Sequence, residues 1–309
     1  MAVMDVQDLP GREGQRTVNP LLLGRWIGLQ GRLARPFWGV MGLWACLGGA
    51  LASNQMRWDG DSLLLLALAL LLADLAWGSL WDLAVGTDWF HPMAEGWPPQ
   101  RLASLPALPY TQPNAPGGRL FRGLNRLVGW WSEAFWPAAG PALLGLLAAV
   151  ALTIVLALLL PTRLRYLYAA LVALLGLGVI WKRRGRAYLA GGALVQVGLC
   201  WLAGHMVFVE VSGPSLVLAL AFSVAVWGGL RVAQGRNSGL WLLNGGQVVA
   251  VALLAALKQP LAAGAMGLLL FGQVAFQPLL RLGGEPARVF RRTWPWLMAA
   301  MLVAALSLP

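Results

Sequence analysis

The stretch SLLLLALALLLADLAWGSLWDLA, residues 62–84, decides the architecture. It is rich in Leu and Ala, does not alternate between apolar and polar residues, and is long enough for a bilayer core that needs roughly 20 apolar residues per helix. Lipid offers the backbone no hydrogen-bond partners, so only a helix or a closed barrel can cross it. The missing alternation selects the helix.

Eight further stretches of the same kind flank this one. The predicted spans are Phe37–Ala52, Ser62–Ala84, Ala138–Leu160, Leu164–Trp181, Ala187–Val209, Pro214–Leu230, Leu240–Leu257, Leu261–Leu280 and Thr293–Leu308. Residues 37–309 thus read as one all-α integral membrane domain of nine transmembrane helices, preceded by a segment, 1–36, on one side of the membrane. Pro161–Arg163 and Lys258–Pro260 leave room only for tight hairpins.

The cations set the orientation. With the N-terminus in the cytoplasm, that side collects Arg12, Arg16, Arg25, Arg32 and Arg35, then Arg101, Arg119, Arg122 and Arg126, then Lys182, Arg183, Arg184 and Arg186. Arg231, Arg236, Arg281, Arg288, Arg291 and Arg292 join them, which makes 19 of the 23 Lys/Arg residues. The opposite side keeps Arg57, Arg163, Arg165 and Lys258. Lys and Arg are held back on the cytoplasmic side of membranes, so an N-in, C-out topology follows, with a bacterial inner membrane as the expected location.

Composition agrees: hydrophobic residues are 59% and charged residues 11% of the chain. A net charge of +11 would suggest nucleic acid in a soluble protein. Here topology and attraction to anionic headgroups account for it, so the expected partners are membrane lipids and other membrane-protein subunits, and no nucleic acid. Residues 1–20 are polar and lack the apolar core of a cleavable leader. Cys46 and Cys200 both fall inside spans, which argues against a disulfide framework or a thiolate metal site.

One connection, residues 82–137, is long. It is placed on the cytoplasmic side and passes through Trp97-Pro98-Pro99 to Pro116, where extended backbone is expected. Over 117–131, Leu120, Leu124, Leu127 and Trp131 recur at helical spacing, while Arg119, Arg122 and Arg126 share another face. Such an amphipathic helix lies in the headgroup plane or packs over the cytoplasmic mouth of the bundle. Tryptophan is abundant, 17 residues, and Trp26, Trp38, Trp81, Trp89, Trp97, Trp130, Trp131, Trp136, Trp181, Trp294 and Trp296 fall near the cytoplasmic boundary. An interfacial belt accounts for most of them; the rest are candidates for lining a cavity.

Ionisable residues inside a membrane are functional candidates by default. Asp74 and Asp82 lie two helical turns apart on the face that also carries Gly78, and Asp88 follows. His205 sits in the fifth span. Its plain reading is a hydrogen-bonded packing residue; the alternative is axial ligation of a chlorophyll-type magnesium by neutral imidazole.

The order of these features resembles the UbiA-type intramembrane prenyltransferases, the superfamily that includes quinone and haem prenyltransferases and (bacterio)chlorophyll synthases. Arg32-Leu33-Ala34-Arg35-Pro36-Phe37 is similar to that family's entry into its first helix, Gly235-Arg236-Asn237-Ser238 before Leu240 to its G-[KR]-x-[ST]-L stretch, and Val289-Phe290-Arg291-Arg292-Thr293 to its run into the ninth helix. The resemblance implies Mg²⁺ held by N-D-x-x-D-x-x-x-D at the end of the second helix and by a second D-x-x-x-D. Here only Asp82 is in register, with Trp81, Val85 and Trp89 at the other positions and Asp88 one residue early. Trp227 and Arg231 stand where the second motif's acids belong. Arginine removes an oxygen ligand and repels the ion.

The expectation is therefore a catalytically degenerate prenyltransferase-like protein. It would bind an isoprenoid lipid, quinone or pigment (carotenoid or (bacterio)chlorophyll), or serve as a subunit of a larger membrane complex, with Asp74, Gly78, Asp82, His205, Arg231 and Arg236 as ligand-binding candidates. The alternative is a divergent transferase, in which Asp74, Asp82 and Asp88 would form a shifted Mg²⁺ site (Asp82 and Asp88 the catalytic pair) and Arg231 and Arg236, with Lys182 and Arg183 as further candidates, would hold the diphosphate of the polyprenyl donor, for transfer to an aromatic or tetrapyrrole acceptor. Topology is open to direct test. A cysteine placed at Ser104 should react with a membrane-impermeant maleimide only from the cytoplasmic side, and one at Ser212 only from outside; the reverse pattern would invert the orientation.

Overall fold

The computed structural model describes residues 40–89, 115–183, 189–281 and 286–308; the expectations for 1–36 and for the proline-rich stretch 90–114 lie outside the described residues. Those residues are predominantly helical, without a strand. Six helices are long and apolar enough to cross a membrane: α2 (Gly60–Gly86), α3 (Pro116–Leu159), α4 (Thr162–Lys182), α5 (Leu189–Phe208), α6 (Gly213–Ala233) and α7 (Gly239–Ala256). On the remaining predicted stretches stand two shorter apolar helices, α1 (Met41–Leu51) and α8 (Pro260–Val274), and α9 (Pro286–Leu306), whose first turns carry Arg288, Arg291 and Arg292.

Three boundaries differ from expectation; α9 begins at Pro286, seven residues before the predicted Thr293. The predicted amphipathic helix and third span are one uninterrupted helix, α3, joined through a wide π-turn at Trp131–Phe135. The predicted span Leu261–Leu280 is shorter, because α8 ends at Val274 and a turn separates it from the single helical turn Pro278–Arg281. Proline stands beside both the wide turn and the end of α8. Pro137 and Pro141 lack the N–H that a regular ladder needs, and Pro278 disfavours helical geometry in the residue before it.

Helix ends are capped by what the sequence supplies. Asp59 accepts the Ser62 N–H at 2.8 Å at the start of α2, and that bond holds its carboxyl below the usual aspartate range. The cap therefore contributes above the ordinary aspartate pKa and is lost as pH falls through the lowered one. At the other end of α2 the Lys182 ammonium donates to the Gly86 carbonyl at 2.6 Å, and Arg163 donates to Val207 O at 2.6 Å near the end of α5. Cations at helix C-termini satisfy orphan carbonyls and complement the dipole.

The helix α5 forms the centre; 83% of its most apolar window is buried, against 17% for α3 and 22% for α4. It packs on α1, α2, α4 and α6, while α6 carries α7 and α9, and α8 rests on α7 and α9. Two seams are made by glycine. A Cβ on Gly49 of α1 would stand 1.8 Å from the Trp201 carbonyl oxygen of α5, and one on Gly204 would stand 1.9 Å from that of Cys46. Between α6 and α7, Gly228, Gly239 and Gly246 would each meet facing backbone within 2.2–2.3 Å. Small residues let backbones touch where lipid gives helices no hydrophobic reason to associate.

Several tryptophans are structural wedges rather than interfacial anchors. Trp81, placed by sequence at the boundary, is 4% exposed and slots its indole against Gly178 of α4 and Gly191 and Gly192 of α5. Trp294 is buried too, edge-on to Phe290. Trp201 donates to Ser215 Oγ at 3.0 Å and Trp44 to Met298 O at 2.9 Å, which ties α5 to α6 and α1 to α9. Trp131 and Trp136 do stay open to the surroundings, as a belt requires.

The seams make a sharp prediction. Gly49→Ala or Gly204→Ala should lower stability in detergent by roughly 2 kcal/mol, the scale of an overpacked core. Gly264→Ala, where an added methyl meets nothing within 4 Å, should be neutral or stabilising by up to about 1 kcal/mol. Thermal unfolding followed by tryptophan fluorescence checks the contrast, and equal effects at the three positions would refute the seam.

Candidate functional site

The end of α6 fixes one wall of the site. The Arg236 N–H reaches Arg231 O at 2.9 Å and the Gly235 N–H reaches Val232 O at 2.8 Å. This is a Schellman ending, and it needs a left-handed residue, which Gly235 supplies at φ 78°. The turn delivers Asn237 beside the first turn of α7. The hairpin from α7 to α8 ends α7 in the same way, with Lys258 in the left-handed position at φ 59°. Its tightness runs α8 back antiparallel along α7.

That return path brings four amides together. Asn244 and Gln277 exchange two hydrogen bonds, at 3.3 and 2.8 Å. One turn deeper, Gln247 Nε2 donates to Gln273 Oε1 at 3.0 Å and to Leu243 O at 3.2 Å, and both glutamines are fully buried. Gln247 Oε1 and Gln273 Nε2 have no partner. The ladder thus holds one acceptor and one donor in reserve, inside apolar helices where unsatisfied polar atoms are costly.

A groove opens at the upper rung. It is lined by Asn237, Leu240, Trp241, Asn244, Val274 and Gln277, closed at one side by Pro278 and Leu280, with a volume of about 580 Å³. That lies within the roughly 300–1,000 Å³ of small-molecule sites. Among the described residues no charged side chain lines it. Amides meet the head of a ligand, and Trp241, 84% exposed, with Leu240 and Val274 offers an apolar path outward. The chemistry suits a neutral amphiphile whose polar end carries carbonyl or hydroxyl groups.

The residues singled out from the sequence do not converge on one place. Asp74 is buried in the wide turn Leu72–Gly78 of α2, with Gly78 buried at the turn's end. Asp82 is half-buried and Asp88 is exposed beyond the helix end. All three carboxylates are engaged by neighbours. Asp74 and Asp82 are separated by eight helical residues, about 12 Å of rise, and among the described residues no three His, Cys, Asp or Glu side chains gather as metal ligands. His205 is 2% exposed and lies along the α1–α5 seam near Arg163. Arg231 donates to Ser238 Oγ at 3.1 Å and sits 5.7 Å over the Trp227 ring. Arg236 is exposed, directly before the groove's Asn237.

No family model, curated protein or solved structure matches this chain. The site is therefore read from its own residues. Sequence reasoning passed over Asn244, Gln247, Gln273 and Gln277 because they carry no charge. Yet each pair is nearly equidistant from the Lys258–Pro260 hairpin, the spacing that places two residues at one depth in antiparallel helices.

The buried rung is testable. Gln247→Leu should cost roughly 2 kcal/mol, since it strands the Gln273 amide. The double change Gln247→Leu with Gln273→Leu should recover part of that loss, leaving a coupling of about 1 kcal/mol between the pair. Additive losses in a double-mutant cycle would mean that the two amides do not interact.

Proposed function

We propose that this chain is an integral membrane protein of nine spans, N-in and C-out, that binds a neutral amphiphile of the isoprenoid-lipid or quinone kind in the groove between α7, α8 and the turn after α6. The layout of the intramembrane prenyltransferases is the frame of this reading, without the transfer step. The observation that carries it is the amide ladder: uncharged donors and acceptors, at a groove whose outer wall is Trp241 and aliphatic side chains. Asn237 and the upper rung would take the polar head by hydrogen bonds, and the tail would leave along Trp241, Leu240 and Val274. A diphosphate does not suit the described lining, because no described residue in it neutralises charge.

The test uses the purified chain in nanodiscs, titrated with a short-tailed quinone and with a polyprenol. Saturable binding is expected. Asn237→Ala and Asn244→Leu should each weaken Kd about tenfold, the worth of one well-made hydrogen bond, and Trp241→Ala should weaken it through lost apolar contact. Binding unchanged in all three variants would move the site elsewhere. Magnesium-dependent prenyl transfer from a polyprenyl diphosphate to an aromatic acceptor would replace this reading with the divergent transferase.

A further inference from the structure

The amphipathic part of α3 stands apart from the groove and asks for a partner of its own. Over Pro116–Trp130 only Gly118 is buried. Leu120 is 69% exposed, and Leu124, Leu127 and Val128 are each at least half exposed. Among the described residues its principal packing is against its own continuation. The opposite arc carries Arg119, Arg122 and Arg126, spaced by three and four residues, and no acidic residue lies between Pro116 and Ser132.

Its position follows from what it continues into. Residues 136–159 form an apolar helix. At the junction Trp131 stacks on Phe135 with centroids 4.7 Å apart, and Trp130 and Trp136 lean on the same cluster at 5.3 and 6.1 Å. Aromatic clusters of this kind settle at the headgroup level. The junction is also where the helix can bend: the π-turn Trp131–Phe135 and Pro137 both interrupt its regular ladder. A stripe of leucines tethered at the headgroup level, backed by arginines, is complementary to an anionic leaflet: acyl chains for one arc, phosphates for the other.

We propose that Pro116–Trp130 binds the anionic lipid of the cytoplasmic leaflet, with the aromatic π-turn as its elbow. The helix holds the start of α3 at a fixed depth, and negatively charged headgroups hold the helix down. Removing the three arginines lowers its partition onto an anionic surface roughly a hundredfold.

The experiment places a nitroxide at Leu124 or Gly123 of the full chain, in vesicles of phosphatidylcholine alone and of phosphatidylcholine with about a third phosphatidylglycerol. In the anionic vesicles oxygen should collide with the Leu124 label in preference to a water-soluble nickel complex, the Gly123 label should favour nickel, and R119Q/R122Q/R126Q should return Leu124 toward water. The groove's quinone binding is measured on the same sample and is expected unchanged. A Leu124 label open to water in both vesicles overturns the proposal. So does one shielded from both reagents, which would mean cover by protein. Immersion equal in the two vesicle types overturns the assignment to anionic lipid.

Discussion

Contact between bare backbones is the constraint on which the rest of this bundle depends. Where α1 meets α5 and where α6 meets α7, glycines bring main chains so close that a single methyl would collide with a carbonyl. In lipid, apolar side chains gain nothing by leaving their surroundings, so close dispersion contact and interhelical hydrogen bonds must hold helices together. Once the two seams are set, α5 is enclosed, indole rings such as Trp81 and Trp201 fill the wider gaps, and α6 is held where its terminal turn presents Asn237. The groove is a downstream result of that packing, since both of its walls hang from α6 and α7.

Several of the chain's cations, Arg231 among the ligand candidates included, are occupied with architecture. Lys182 and Arg163 close helix ends. Arg231 lies on Trp227 and holds Ser238, which steadies the turn before α7. Polar chemistry at membrane depth falls instead to uncharged amides, which cost less to bury than charges and can satisfy one another.

The fold was legible wherever apolar length carried it. The stretch 62–84, the hairpins at Pro161–Arg163 and Lys258–Pro260 and the amphipathic pattern of 117–131 were all readable, because bilayer thickness and helical period are imposed from outside the protein. The fusion of that amphipathic segment with the following span was not readable, since its join is a wide turn next to proline, a local choice that hydropathy does not register. Trp81 was misplaced for a related reason. Tryptophan suits both an interface and a slot over glycine, and only the glycines of two other helices, Gly178, Gly191 and Gly192, decide between them. The amide ladder depended on pairing residues far apart in sequence through a hairpin, and a scan for charge or for motifs does not look there.

The brevity of α8 has a consequence for its surroundings. Fifteen residues rise about 22 Å, well short of a hydrocarbon layer of about 30 Å. If α8 crosses as proposed, lipids beside it would shorten their chains or draw their glycerol backbones inward to avoid leaving bare hydrocarbon against polar turns. A dimple at its Val274 end would lie at the groove, beside Val274 and Gln277. A guest diffusing sideways in the leaflet would then arrive already at the right depth, and entry would not require it to pass through water.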